Sequence, residues 1–449
     1  MIDTIYFIGM GSIARSLIEI WQLEKTNMDK TVIIIEPLTV PKWIFKKFDK
    51  RPKHIKKAIT LKNHKSLLKN LTPNCIVIDL TVEVDCIMIV KICKELGASY
   101  INTSLENWDN QDDKDAFFTD ETTYADIKED CLYQREIELK KVAEGSKSTI
   151  AVDDGYNPGA VSIMSKILLD KVAEIHGVKY DKNNKTFYAD FCKVLEVESI
   201  QIVELDTQVM KTLKADPSTF INSWSAEGAE CEFTDNPMFG LGTIDPEIKD
   251  GMFMGHKIIV PDNGPKNVGF LPIRGCDIQK ESFTLDLEGD KIKYTGYVIP
   301  HGEANTLSRF LTTKNGDYRP SVYYVYSPSD ICIDSTNFLR ENDYKFLKYW
   351  YVVNLQDVKK GYDSIGVKFK LKSGKTYILC SVVDTQYVKD MGLKYCQATG
   401  LQVAGSLSAG VKYIMEHTKE GFMTPEDLPH KWIYKNMERF LGVVYFREF

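Results

Sequence analysis

The chain has 449 residues, 43% hydrophobic and 27% charged, with a formal net charge of −6. This length favours two or three domains with sizeable cores, and the composition excludes a disordered chain. Dispersed Lys and Arg under net acidity argue against a nucleic-acid partner, and no apolar run in the sequence reaches membrane-spanning length.

The N-terminus runs directly into the strand-like "IYFIGMG", without the charged n-region of a signal peptide. Ten cysteines lie scattered with no C-x-x-C pair, several in apolar surroundings, as at Cys75, Cys86 and Cys93. Free thiols in a reducing compartment are the plain reading, so a cytoplasmic location is expected, with neither disulfides nor a metal site. The histidines His54, His64, His176, His256, His417 and His430 show no ligand grouping. The basic stretch Lys46 to Lys57 reads as a solvated face or loop.

The first half alternates strand and helix signals. Ile5 to Ile8 is apolar, Gly9 and Gly11 break the run, and Ile13, Leu17 and Trp21 form a helical stripe spaced by four. "TVIIIEP" is a buried-strand run closed by Glu36 and Pro37. After the basic connection come "NCIVIDL", a helix from about Ile87 to Leu96, and "SYIN". This β-α-β rhythm predicts a parallel sheet covered by helices.

From about Asn157 the pattern changes. Helical "AVSIMSKILLDKVAEI" precedes the strand-like runs "SIQIVELD", "KIIVP", "SFTLDLE", "KIKYTGYVIP", "SVYYVY", "IGVKFKL" and "KTYILCSVV". Their alternation and their Gly, Asp and Asn turns predict a mixed or antiparallel sheet. "LQVAGSLSAGVKYIMEH" returns to helix. The predicted architecture is α/β: a Rossmann-type doubly wound parallel sheet from residues 1–156 and about 396–430. An α+β substrate domain is inserted at 157–395, and 431–449 forms a C-terminal extension after the helical return.

"YFIGMGSIARSLI" reads as strand, Gly9-x-Gly11-x-x-Ala14, helix. Gly9 permits the tight turn, Gly11 lets the backbone approach a pyrophosphate, and Ala14 allows close helix–sheet packing. The helix N-terminus supplies unpaired N–H groups for phosphate. Glu36, ending the second strand, can accept hydrogen bonds from both ribose hydroxyls and would repel a 2′-phosphate, so NAD is expected rather than NADP. The competing reading is an empty turn with a solvent-exposed Glu36.

Reactive groups should lie at carboxyl ends of the strands or face them from the second domain. Glu83 and Asp85 follow "IVIDLTV"; Glu106 follows "SYINTSL"; Asp153, Asp154 and Asn157 lie in "AVDDGYNPGAVS". The second domain offers Glu204, Trp224, Glu227, Glu230, Glu232, His301, Glu303 and Asp363. Singly, each has a bland reading: Glu204 as an outward strand residue, the glutamates of "NSWSAEGAECEF" as a solvated turn, His301 as a loop cap, Asp85 as a helix cap. Together they gather acids and one tryptophan where loops should face the cofactor. Such a pocket suits a cationic substrate, with Trp224 as the cation–π face.

These residues resemble homospermidine synthases, NAD-dependent enzymes related to the saccharopine dehydrogenase group. The resemblance covers most of the length and rests on "GMGSIA", "DLTVEVD", "YINTSLENW", "DDGYNPGAVS", "IVELDTQ", "NSWSAEGAECE", "GYVIPHGEA", "RPSVYYVYSP" and "ATGLQVAGSLSAG". It implies homospermidine formation from two putrescines, or from putrescine with spermidine as aminobutyl donor, releasing ammonia or diaminopropane, with no net redox. It also implies a homodimer.

By resemblance, Trp224 would hold the imine intermediates, while Glu204, Glu232 and Asn157 contact the diamine. Glu106 and His301 would assist proton transfer. Glu83 and Glu303 would bind substrate, and Asp363 would be an acid at the pocket entrance. Cofactor contacts would come from Gly9, Gly11, Ser12, Ile13, Ala14, Glu36, Asp79, Thr103, Asp154 and Pro158. Glu83 departs from the family's aspartate by one methylene. The alternative is a saccharopine-dehydrogenase-like oxidoreductase acting on an amino acid. Its substrate carboxylate should want Arg or Lys, and the candidate loops offer Arg274 and Arg319 at most.

Overall fold

The structure, a computed structural model of the chain, describes residues 2–108, 119–129, 131–181, 184 and 186–449. Short runs of Ile, Val and Tyr build seven parallel strands, ordered Phe422–Met423, Ile150–Ala151, Ser99–Asn102, Cys75–Asp79, Thr4–Ile8, Thr31–Ile35, Lys53–Ile55. The strand order reverses at Thr4–Ile8, which places a crevice at the carboxyl ends beside the glycine turn.

Helices cover both faces. Leu17 and Trp21 of the helix Ser12–Glu24 pack with Leu401 and Leu407 of the helix Ala398–Glu416 on one side. Ile89, Cys93 and Leu139 of Cys86–Leu96 and Leu132–Ala143 close the other. Asp85 caps Cys86–Leu96, accepting from the N–H groups of Ile87 and Met88 at 2.8 and 3.2 Å.

The second sheet has nine strands and is mixed. Its centre pairs Ser321–Ser327 in parallel with Val197–Asp206, which pairs antiparallel with Tyr362–Leu371 and so leads to Thr376–Asp384. One face, through Ile200, Ile202, Ile365 and Val367, packs on Met164 and Leu168 of the helix Ala160–Ile175. The final strand, Val443–Glu448, pairs with Thr376–Asp384, so the last residues extend the edge of this sheet. "KIIVP" gives no strand of the large sheet: Lys257 pairs with Met252 in a two-stranded ribbon and Ile259 bridges to Phe270, beyond which Pro261 has no N–H to continue a ladder.

All ten cysteines are free thiols, eight of them buried. Among the described residues no helix is long and apolar enough to cross a membrane.

Candidate active site

The glycine turn is shaped for close approach. Gly9 has φ +85, and a side chain there would meet the Leu80 carbonyl oxygen at 2.8 Å. Gly11 precedes the helix Ser12–Glu24, with nothing within 4 Å of where a side chain would stand. Among the described residues no side chain caps this helix, which leaves the N–H groups of its first turn, opened by Ser12 and Ile13, available as a phosphate cradle requires. Ala14 is fully buried against the sheet. Glu36 stands at the rim, accepting from the N–H groups of Met10 and Leu38, each at 2.8 Å. The residues present therefore fit a dinucleotide.

Thr103 lies beside Gly155 at the next strand ends, and Pro158 lines the adjoining cleft. Two of the expected cofactor residues are buried among other side chains. Asp79 is buried, and its carboxylate accepts from the hydroxyls of Thr81 and Tyr100 at 2.8 and 3.0 Å; burial raises it to about 6. Strand alternation sets it on the same face as Val77, beside Tyr100 in the packed layer. Asp154 lies under the helix Ala398–Glu416, where a side chain at Gly410 would collide with its Oδ2. Burial pushes its carboxyl up to about 8.

Five carboxylates, Glu106, Glu136, Asp153, Glu232 and Asp235, line the cleft beside this groove; Arg135 and His301 are its cationic lining residues. "NSWSAEGAECEF" forms a helix, Ala226–Thr234, because the Ser225 hydroxyl caps it by accepting from the Gly228 N–H at 3.0 Å. Helical geometry then separates its acids. Glu230 turns inward and accepts from the Leu347 N–H at 2.8 Å and the Trp350 indole at 2.6 Å, a packing role. Glu232 faces the cleft with one buried oxygen lacking a partner, and burial raises it to about 8.

His301 precedes the helix Gly302–Phe310 and is buried. Its Nδ1 lies 2.5 Å from Glu303, its Nε2 4.0 Å from Glu232. Burial alone would lower the imidazole, but the carboxylates of Glu303, Glu232 and Glu204 outweigh it and hold it at about 9. Glu303, fully buried, also accepts from the Gly159 N–H at 3.2 Å. It braces the histidine rather than facing the cleft.

Trp224 is half-buried just ahead of the Ser225 cap, its indole edge beside Gly228, which lines the cleft. Its Nε1 donates to the Tyr326 hydroxyl at 3.2 Å. Tyr326 stacks on Tyr324 at 5.6 Å, and Tyr324 meets the His301 ring edge-on at 4.8 Å. The Tyr324 hydroxyl donates to Glu204, which also accepts from Asn157 Nδ2 at 2.9 Å. Trp224, the tyrosines, Glu204, Asn157, His301 and Glu232 thus form one continuous constellation.

Asp363 lies deeper than expected. It is fully buried, and strand register places it opposite Asp206, with Ile365 opposite Glu204. Burial and these two acids push its carboxyl well up. It belongs to the inner end of the acidic region and not to an entrance, because period-two alternation aligns the acids of neighbouring strands on one face. Glu83 is exposed on the loop after Cys75–Asp79, while Glu106 lines the cleft.

Sequence reasoning missed Tyr324, Tyr326, Asp206, Glu136 and Asp235. The tyrosine pair had a signal: in "SVYYVY" residues 324 and 326 share a strand face by period two, opposite Tyr323.

Residues 5–151 match the family described as the saccharopine dehydrogenase NADP binding domain. The homospermidine synthase of Mesorhizobium japonicum is 26% identical, over 98% of this chain and 89% of its own length. That of Blastochloris viridis is 24% identical, over 98% and 90%. The crystal structure of the Legionella pneumophila homospermidine synthase in complex with NAD superposes with a TM-score of 0.83 at 25% identity, covering 99% of this chain and 91% of that one. The chain is thus similar to homospermidine synthases over nearly its whole length, and in residues 5–151 to a dinucleotide-binding domain. Apo saccharopine dehydrogenase (L-Glu forming) from Saccharomyces cerevisiae shares the fold at a TM-score of 0.54 and 12% identity.

Proposed function

We propose that this enzyme makes homospermidine from two putrescines, releasing ammonia, or from putrescine and spermidine, releasing 1,3-diaminopropane. The Gly9–Ala14 turn and Glu36 would hold NAD, which would supply reversible hydride chemistry at the donor's amine carbon, so that no net redox would result. The observation that carries the reading is the cleft lined by the acids Glu106, Glu136, Asp153, Glu232 and Asp235 at the ends of the parallel strands, with Trp224 beside its lining residue Gly228.

Glu204 and Asn157, backed by Asp363, fit an ammonium end of the diamine. Hydride loss needs a neutral amine, and His301 or Glu232, 4.0 Å apart with Glu106 lining the same cleft, would take its proton. The Trp224 face lowers the energy of each cationic imine by a cation–π attraction worth ~2 kcal/mol once water is excluded. The exchange balances: one carbon–nitrogen bond forms to the acceptor amine as the donor's terminal amine leaves.

An amino-acid substrate is disfavoured by the local charges. Arg274 lies over the Tyr344 ring at 4.1 Å, Arg319 donates to the Leu241 carbonyl, and Arg135 donates to the Leu105 carbonyl at 2.5 Å. The deciding assay incubates the protein with putrescine and NAD+. Homospermidine by mass without accumulating NADH is expected; steady NADH formation with no homospermidine would overturn the assignment in favour of a dehydrogenase.

A further inference from the structure

"ATGLQV" and the residues before it take no part in the chemistry above, yet their polar groups join the cofactor domain to the tryptophan. Glu19 lies on the helix Ser12–Glu24, whose N-terminus is the phosphate cradle. It is 8% exposed and spends both carboxylate oxygens on the chain that leads into the helix Ala398–Glu416. Oε1 accepts from the Lys394 N–H at 3.0 Å; Oε2 accepts from Tyr395 at 3.0 Å and Cys396 at 3.2 Å.

The next residue, Gln397, is 1% exposed. Its Oε1 caps the helix by accepting from the Gly400 N–H at 2.9 Å. Its Nε2 donates to the carbonyl of Ser223, the residue immediately before Trp224. A second link runs beside it. Gln208 accepts from the Ala398 N–H at 3.3 Å and donates to Asp206 at 3.0 Å, next to the inner acids.

A helix cap needs only an acceptor, so the donor half of Gln397 is surplus to capping. Buried side chains spend such groups where position matters, and a misplacement of about 1 Å at a reacting centre can cost up to ~100-fold in rate. We infer that Glu19 and Gln397 form a strut that sets the distance between the nicotinamide end of the cofactor groove and the Trp224 face, with Gln397 a positioning residue acting through Trp224. The inference rests on the polyamine reading above and deepens it.

The strut predicts a defined coupling. Gln397→Met keeps length and volume but loses the donor to Ser223. It should lower kcat for homospermidine formation about tenfold, with the NAD dissociation constant and the putrescine KM little changed. In a Trp224→Ala background the same substitution should cost almost nothing more, because the group it positions is gone. Gln397→Glu, which keeps the cap acceptor, should show the same kcat loss and so separate positioning from helix capping. An equal loss with and without Trp224, or no loss at all, overturns the strut. If the wild-type protein itself makes no homospermidine, the functional reading fails instead. Holding the cycle to variants that bind NAD like the wild type excludes misfolding as the cause.

Discussion

His301 and Glu303 stand two residues apart at one helix start and share a 2.5 Å hydrogen bond inside the protein. Two opposed influences act on this imidazole: burial lowers it, and the carboxylates led by Glu303 raise it to about 9. At neutral pH the free enzyme therefore carries an imidazolium facing Glu232, whose own carboxyl is raised to about 8. A site prepared to take a proton from an amine must first lose these protons, so kcat/KM should climb as pH passes from about 8 to 9.

Glu303→Gln tests which carboxylate sets that limb. It keeps an acceptor for the Gly159 N–H and removes the negative charge. Burial then dominates, His301 falls, and the rising limb of kcat/KM should move to lower pH. Stability follows from the same shift. Because the folded value lies above the ordinary 6.5, the stabilisation is complete below pH 6.5 and lost as pH rises through about 9. The wild-type melting advantage over the variant should thus shrink with rising pH. An identical rate profile in both proteins would remove Glu303 from this role.

Trp224→Ala should cut kcat/KM for putrescine about thirty-fold, the equivalent of a ~2 kcal/mol cation–π contribution. NAD binding should be untouched, because the indole sits beside Tyr326 and Gly228 in the second domain. Tyr326→Phe removes only the hydrogen bond that orients the indole, and should give a smaller loss of the same kind. Steady-state kinetics beside NAD titration reads both; full turnover in Trp224→Ala would exclude the aromatic wall from catalysis.

Glu36→Ala should raise the NAD dissociation constant and narrow the preference over NADP. The carboxylate does two things: it offers acceptors at the ribose position and ties Met10 and Leu38 into one rim. Glu36→Gln separates them, since its amide oxygen can still hold one N–H while the charge that repels a 2′-phosphate is gone. Calorimetric titration with both dinucleotides provides the check, and an unchanged NAD:NADP ratio in Glu36→Gln would refute the charge argument.

The parallel half of the fold was legible because buried parallel strands are continuous apolar runs and the glycine turn has few uses. Glu232, Trp224 and His301 were readable as members of one acidic, aromatic region from residue type alone. Their separation into roles was not. Glu230 and Glu232 look equivalent in "AEGAECEF", and only the Ser225 cap, which starts a helix there, turns one inward and the other to the cleft. Asp79 and Asp154 end or follow strands as cofactor ligands do, yet both side chains are buried, Asp79 against Tyr100 and Asp154 against Gly410. Asp363 could not be placed without the register that sets it against Asp206, a pairing of residues more than a hundred positions apart. Asp154 fails for a similar reason: its neighbour Gly410 comes from the distant return helix.

That same register makes Asp363 a site of conflict between stability and function. Its two oxygens are buried beside Glu204 and Asp206, and burial with these acids holds the carboxyl well above its ordinary value. A raised acid destabilises the fold above its unfolded value of 3.8, increasingly until pH reaches the folded one, and costs nothing at low pH. Asp363→Asn, of the same shape without the charge, should therefore raise the melting temperature, and by more at pH 8 than at pH 5. It should at the same time raise the putrescine KM, because an ammonium end loses a carboxyl that can ionise beside it. Thermal melts at the two pH values, paired with kinetics, separate the effects. A variant that is less stable at pH 8, or that binds the diamine as well as the wild type, would show that the inner acids serve the fold alone.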